Sequence, residues 1–394
     1  MHICHVITRM VLGGAQQNTL AIARAQRDQG HQLSLITGAC HGPDGYLLPE
    51  ARTIFHQVSI LRSMDRPIRP HRDLHALVAC SHTIRQIGPD LLHTHSSKAG
   101  ILARLALDLL PAPSRPRCVH AIHGMSFNRT QQRPIRWLYR QLERIAARNT
   151  DAYTCVCMHM ARQMLAAGIG QPPHFHIAYS PIDPQPWQTA HAQRYAARAR
   201  LRNLLGLPQD QPIVAICARI APAKGYEDLL ELLRRWNWPE RQPMPAIVCL
   251  GDGPSRTRIE TRIKALDGPF RPQVRFLGQI SPESLPGMLA GANLLLHLSR
   301  WEGLARVLPQ AILAGVWPVA WSLDGSPEAL NECGTLVEPD NWPGLLLALA
   351  EALHNSLQPG PEAIRQTAER FSLAGSLAAT MAACQPQHNR QASL

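Results

Sequence analysis

The chain has 394 residues, 45% hydrophobic and only 17% charged, which excludes a disordered protein and is too long for one ordinary core. Aromatic residues make up 5%, too few for a stacking platform on single-stranded nucleic acid. The net charge of +12 is uneven: residues 1–190 hold 20 basic and 10 acidic side chains, residues 191–394 hold 20 and 18, so the first half is the part expected to meet something anionic.

The chain opens on a strand-like run, MHICHVI, rather than on a basic segment followed by a long apolar core. No apolar run approaches the ~20 residues that span a bilayer, so a cytoplasmic protein is expected. In the first half, strands are predicted over residues 3–7, 33–37, 91–94, 118–123, 153–157 and 175–179. Helical patterns fall between them over 16–29, 74–87, 98–110, 135–148 and 159–167. Near-continuous Val/Ile/Leu/Cys runs, each followed by an amphipathic helix, imply a buried parallel sheet covered on both faces.

The pattern lapses at PIDPQPWQ, read as a Pro-rich connection, and a helix is predicted over 194–205. Alternation then restarts, with strands over 213–218, 246–250, 274–277, 294–298, 318–321 and 335–337. Helices are predicted over 226–236, 256–265, 282–290, 307–314 and 342–354. Two doubly wound units result: a first domain over 1–185 and a second over 186–360. A helix over 361–384 is expected to pack back towards the first domain, ahead of a flexible tail over 385–394. Ligands of such folds bind beyond the carboxyl ends of the strands.

The ten cysteines, from Cys4 and Cys40 to Cys384, show no CxxC and lie mostly in apolar runs, which reads as buried, reduced thiols. After the first strand comes GGAQQN (13–18), where a glycine pair lets backbone amides approach an anion. The run IVAICARIAPAKG (213–225) ends a strand in Arg219, with Lys224 five residues on; two such cations can neutralise a diphosphate, one as a fork and one as a point charge. LGDGP (250–254) and FLG (276–278) are further tight strand ends, at Gly251 and Gly278. In LSRWEGLARVLPQAILAG, Glu302 and Gly303 stand between a strand and a helix, where Glu302 can accept hydrogen bonds from sugar hydroxyls and Gln310 lies two turns along.

Taken in order, GGAQ, HTHSSKAGILARLA (93–106), HGMSFN (123–128), ERIAARNTDAYTCV (143–156), ARIAPAKG, LGDGP, FLG and SRWEGLARVLPQA with its LDGSPE continuation resemble family four of the retaining glycosyltransferases. The resemblance implies an α/β fold of GT-B architecture, two Rossmann-like domains facing across a cleft. It implies that Arg219 and Lys224 bind a donor diphosphate and that Glu302, first acid of an E-x7-E motif, holds the donor sugar. Gly303 and Leu304 would present backbone amides to the donor, His123 would face the reacting sugar, and Gly14 would lie in the loop nearest donor and acceptor. The implied catalytic set is thus Glu302, His123, Arg219 and Lys224.

The chain departs from the family at the second acid, which is Gln310 here. Exchanging a charged for a neutral hydrogen-bond partner costs about 1 kcal/mol of nucleotide binding. Pro309, Ala305, Trp317 and AYSPID (178–183) are also unusual. No DxD motif occurs, so no metal is expected, and the only co-substrate implied is a nucleotide-diphosphate sugar. His93-x-His95 and His174-x-His176 each share one strand face, but the sequence offers neither a third ligand. Nor does it show a second carboxylate near Glu302.

The expected partners are therefore a nucleotide sugar, a glycan or lipid-linked acceptor in envelope polysaccharide or lipopolysaccharide synthesis, and an anionic membrane met peripherally at its inner face; no nucleic acid is expected. A catalytically silent relative that binds nucleotide sugar or scaffolds an envelope-assembly complex is the competing reading, supported by Gln310 and Pro309. A Rossmann dehydrogenase is disfavoured because neither first strand is followed by GxGxxG.

Overall fold

The computed structural model of the chain describes residues 1–39, 46–65, 67–236, 243–266 and 273–386; Cys40 and most of the expected tail lie outside them. The chain forms two compact units, Met1–Pro181 with the segment from Leu373 onward, and Ile182–Ser372.

The first unit carries a sheet of β1 (His2–Ile7), β2 (Gln32–Gly38), β3 (Gln57–Leu61), β4 (Leu91–His95), β5 (Arg117–Ile122), β6 (Ala152–Cys155) and β7 (Phe175–Ile177), in the order β3-β2-β1-β4-β5-β6-β7. The second unit carries β8 (Ile213–Cys217), β9 (Ala246–Leu250), β10 (Val274–Gly278), β11 (Leu294–His297), β12 (Trp317–Trp321) and β13 (Thr335–Val337), in the order β10-β9-β8-β11-β12-β13. All the strand pairings are parallel.

In each sheet the chain runs outward over its first three strands and then returns to the other side of the first, which opens a crevice at the carboxyl ends of β1 and β4 and again at those of β8 and β11. The strands read as continuous apolar runs because both faces are covered: Ile3, Cys4, Val6 and Ile7 of β1 are fully buried, as are Ile247, Val248 and Cys249 of β9. The nine cysteines among the described residues are free, and all but the half-buried Cys217 are buried.

Two expectations need correction, and two elements were not expected. QPWQTAHA is the helix Gln185–Ala192, not a loop: its proline stands in the first turn, where a missing N–H costs nothing, and Trp187 is buried. The expected helix over 361–384 is two. Pro361–Arg370 stays with the second unit, and Phe371 and Ser372 break the run. Leu373–Cys384 packs on β5, β6, β7 and the helix Gly14–Asp28 of the first unit. The edge strand β3, a short run of five half-buried or exposed residues, and the helix Leu48–Ile54 before it are absent from the sequence reading.

Candidate functional site

In the second unit the residues that end the strands are stitched into one surface. Past β8 the chain reaches Ile220, whose N–H donates to the Asp252 carbonyl (2.9 Å), while Ser255 N–H donates back to the Ile220 carbonyl (3.0 Å). Gly251 N–H donates to the Gly278 carbonyl at 2.8 Å, so these two predicted glycines meet across β9 and β10. A Cβ on Gly251 would fall 2.1 Å from the Ala218 carbonyl oxygen, so only glycine lets these loops approach.

The β8 and β11 loops meet at the point where the strand order reverses. Arg300 N–H (2.8 Å) and Ser299 Oγ (3.1 Å) both donate to the Ala223 carbonyl. Gly225, at φ +85°, turns the chain into the helix Tyr226–Arg235 with its α-carbon packed against the Leu298 backbone. This geometry sets Lys224 Nζ 2.7 Å from Glu302 Oε1, with His297 Nε2 3.9 Å from the same oxygen.

Burial alone would raise the pKa of Glu302. The nearby Lys224 ammonium and His297, with hydrogen bonds from Lys224 and Ser299, outweigh it and hold the carboxyl below its ordinary range. Glu302 is therefore an ionised acceptor at neutral pH. Burial, only partly offset by Glu302, lowers the pKa of His297.

Arg219 is exposed on the loop after β8, on the same turn sequence as Lys224. Gly303 and the buried Leu304 lead into the helix Val307–Leu313, which carries a half-buried Gln310. The backbone N–H of Glu302 is already used: it donates to Asp324 Oδ2 at 2.9 Å. The expectation that no second carboxylate lies near Glu302 is thus corrected, although this one serves to hold the loop. LDG in the sequence was the available signal, since Asp324 adopts the left-handed conformation (φ +51°) of a tight turn.

In the first unit, Gly14 begins the helix Gly14–Asp28, whose Asn18 Nδ2 lies 3.3 Å from His123 Nδ1 and 3.2 Å from Ser180 Oγ. His123 follows β5 directly and is half-buried. Its Nε2 meets His95 Nδ1 at 3.0 Å, and His95 Nε2 meets His5 Nδ1 at 3.0 Å. The expected lack of a third partner for His93 and His95 is corrected here. Parallel pairing sets His5 beside His93, and ligand atoms of His5, His93 and His95 lie within 4.8 Å of one another. His174 and His176 are not part of this group. Only the strand register, absent from a linear reading, brings β1 into it.

Burial pushes the pKa of His5 and of His123 down to about 4, and those of His93, His95 and His120 well below the ordinary histidine range. The cluster is uncharged at neutral pH. No helix among the described residues is long and apolar enough to cross a membrane.

The pattern described as Glycosyltransferase Family 4 matches residues 12–186, and that described as Glycosyl transferases group 1 matches residues 197–371; together they take in most of the chain. Among curated proteins, the chain is 22% identical to the UDP-Gal:alpha-D-GlcNAc-diphosphoundecaprenol alpha-1,3-galactosyltransferase of Escherichia coli, over 82% of this chain and 80% of that protein. It is 26% identical to the D-inositol 3-phosphate glycosyltransferase of Corynebacterium efficiens, over 73% and 69%. Among solved structures, Anabaena HepE in complex with UDP and glucose superposes with a TM-score of 0.75 at 19% identity, covering 97% of this chain and 98% of that one. WaaG, a glycosyltransferase involved in lipopolysaccharide biosynthesis, superposes with a TM-score of 0.66 at 16% identity, over 97% and 98%. The fold these structures share with the chain is GT-B.

Proposed function

The chain belongs to family four of the glycosyltransferases, and from that premise we propose that it moves a hexose, with retained configuration, from a nucleotide-diphosphate donor to a glycan or lipid-linked acceptor. One observation carries the reading: Lys224 and Glu302, drawn from the loops after β8 and β11, meet at 2.7 Å where the strand order of the second sheet reverses. A cation for a diphosphate and an ionised carboxylate for hydroxyls then stand side by side at the edge where ligands of such sheets bind.

In this reading Arg219 and Lys224 take the diphosphate, Glu302 the sugar hydroxyls, and Gln310 the ribose. The strand-end turns at Gly251, Gly278, Gly303 and Leu304 line the donor. The bond from the anomeric carbon to the phosphate oxygen breaks while the acceptor oxygen bonds to that carbon from the same face. The acceptor proton passes to the departing phosphate. The fixed cations stabilise the charge that develops on the leaving group without a divalent ion. A relative whose name specifies UDP-Gal and a diphosphoundecaprenol acceptor, and a fold neighbour that holds UDP, support this donor and acceptor class.

The acceptor belongs to the first unit, and a lipid-linked acceptor places that unit at an anionic membrane surface. The helix Arg133–Ala146 supports this. It exposes Trp137 (63%), Ile135 and Leu138 beside the exposed Arg133 and Arg136, a combination suited to the boundary of lipid and headgroup. Co-sedimentation with anionic vesicles at low salt, lost in Trp137→Ser, is expected; equal binding to neutral and anionic vesicles would count against it.

The activity is tested with a thermal-shift panel of UDP-, GDP-, ADP- and dTDP-sugars, followed by assays for donor hydrolysis and transfer. Stabilisation by one sugar nucleotide together with turnover supports the proposal, and no stabilisation by any of them refutes it. The silent-relative reading rests on Gln310 and Pro309. It predicts binding without turnover in the presence of acceptor, and turnover restored by Gln310→Glu would show that this position is what silences it.

A further inference from the structure

The buried histidines of the first unit form a directed string. At one end is Gln26, fully buried on the helix Gly14–Asp28. Its amide nitrogen faces the Met381 thioether at 3.7 Å, an acceptor with no proton to give, so its carbonyl Oε1 is the atom that faces His5 Nε2, at 3.0 Å. That oxygen only accepts, so His5 Nε2 carries the proton and His5 Nδ1 is a lone pair.

The same logic repeats down the string. His95 Nε2, 3.0 Å from His5 Nδ1, must donate, which leaves His95 Nδ1 a lone pair; His123 Nε2, 3.0 Å away, must donate in turn. His123 Nδ1 is then a lone pair, and the Asn18 amide donates to it at 3.3 Å. A proton added to any one of the three rings would bring two N–H groups face to face across a contact of about 3 Å, or set an N–H against the amide of Asn18.

We propose that Gln26, His5 and His95 are positioning residues that lock His123 as the neutral Nε2–H tautomer with both ring nitrogens occupied. His123 then serves its site as an oriented, uncharged ring, and exchanges no proton with the reactants. The last step rests on the glycosyltransferase reading above; the tautomer assignment does not. The titratable groups that act on the string are themselves imidazoles, His93 from β4 and His120 from β5. Burial, which lowers the pKa of all of them, acts in the same direction as the geometry. The closeness of His5, His93 and His95 does not by itself make a metal centre, because His5 and His95 spend the facing pair of nitrogens on each other.

Long-range nitrogen–proton NMR on protein labelled with 15N-histidine tests the assignment in the unaltered chain. His5, His95 and His123 should all report the neutral Nε2–H form between pH 6 and 8. Any of the three found as Nδ1–H or as imidazolium in that range overturns the proposal. So does a stoichiometric metal ion in elemental analysis that is lost in His93→Ala.

Gln26→Met removes the acceptor that sets the direction, and should let the three rings populate both tautomers. It should lower kcat on the order of tenfold with donor KM little changed. A limb in the kcat–pH profile that vanishes in His123→Gln would assign proton transfer to that ring and overturn its passive role. A chain that turns over no donor, yet shows the three Nε2–H rings, would refute the transferase reading and leave the string standing.

Discussion

Arg300 grips Asp228 through two guanidinium hydrogen bonds, both of 2.6 Å, and so ties the loop after β11 to the first turn of the helix Tyr226–Arg235. The same guanidinium reaches Asp340 at 2.6 and 3.0 Å and lies over the Trp321 ring. Glu302 is two residues beyond Arg300, and Lys224 is four residues before Asp228. The fork therefore fixes the distance between the two residues that matter most to the candidate site. Arg300→Lys cannot make two parallel bonds to one carboxylate. It should raise the donor KM and loosen the Lys224–Glu302 pair, with a loss of about 1–3 kcal/mol in stability, measured by urea unfolding and initial-rate kinetics.

Glu302→Ala should abolish transfer while leaving the circular dichroism spectrum unchanged. Glu302→Gln should keep the hydrogen-bonding shape but lose most of the activity, because the neutral amide neither pairs with Lys224 nor accepts as strongly from hydroxyls. Transfer at near-normal rates in Glu302→Ala would remove this residue from the mechanism.

Gly225→Ala places a Cβ about 2.5 Å from the Leu298 carbonyl carbon at a backbone φ of +85°. Both the steric contact and the left-handed conformation penalise it, together by more than about 2 kcal/mol. Lys224 would move with the turn, so the melting temperature and donor affinity should fall together. A variant that melts like the parent would show that this loop gives way easily.

The helix Arg133–Ala146 is anchored by Glu143, whose Oε2 lies 2.6 Å from Arg104 Nη2; both residues are buried. Glu143→Ala leaves an uncompensated guanidinium inside the first unit and should cost about 3–5 kcal/mol. Replacing both, Arg104→Met with Glu143→Leu, should recover most of that loss. A double-mutant cycle in urea tests whether the pair stabilises the fold or specifies where the helix docks.

His5 and His123 titrate near 4 in the folded chain, against 6.5 for an unperturbed histidine. Between those values the unfolded chain binds more protons, so stability rises with pH across this window. It is fully present above about pH 6.5 and is lost as the pH falls towards 4. His5 alone contributes on the order of 3 kcal/mol. The melting temperature should drop over this range, and His5→Gln should flatten the dependence.

Much of the architecture is legible in the chain because buried parallel strands must be continuously apolar. IVAIC, AIVCL and LLLH therefore announce themselves, and the tight turns after them carry the glycines that close approach demands. What escapes is what depends on register or on context. His5 looks like one histidine in an apolar strand until β1 is aligned with β4, which sets it beside His93. Asp324 is a turn residue in the sequence, and only in three dimensions does it hold the amide of Glu302. Pro186 suggests a loop but stands in the first turn of a helix, where proline is well tolerated. The edge strand β3 is short and only half-buried, so its five residues do not stand out from their surroundings.

The return of Leu373–Cys384 to the first unit has a consequence for biosynthesis. The second unit is one uninterrupted stretch of chain, whereas the first lacks a cover over β5, β6 and β7 until Leu373–Cys384 has been made. The usual order, in which the amino-terminal part matures first, is therefore reversed here, since the first unit must wait half-finished while its partner completes. A stop codon shortly before residue 373 would leave the apolar bed of that last helix bare, and such a product is expected to aggregate although every strand of both sheets has been made.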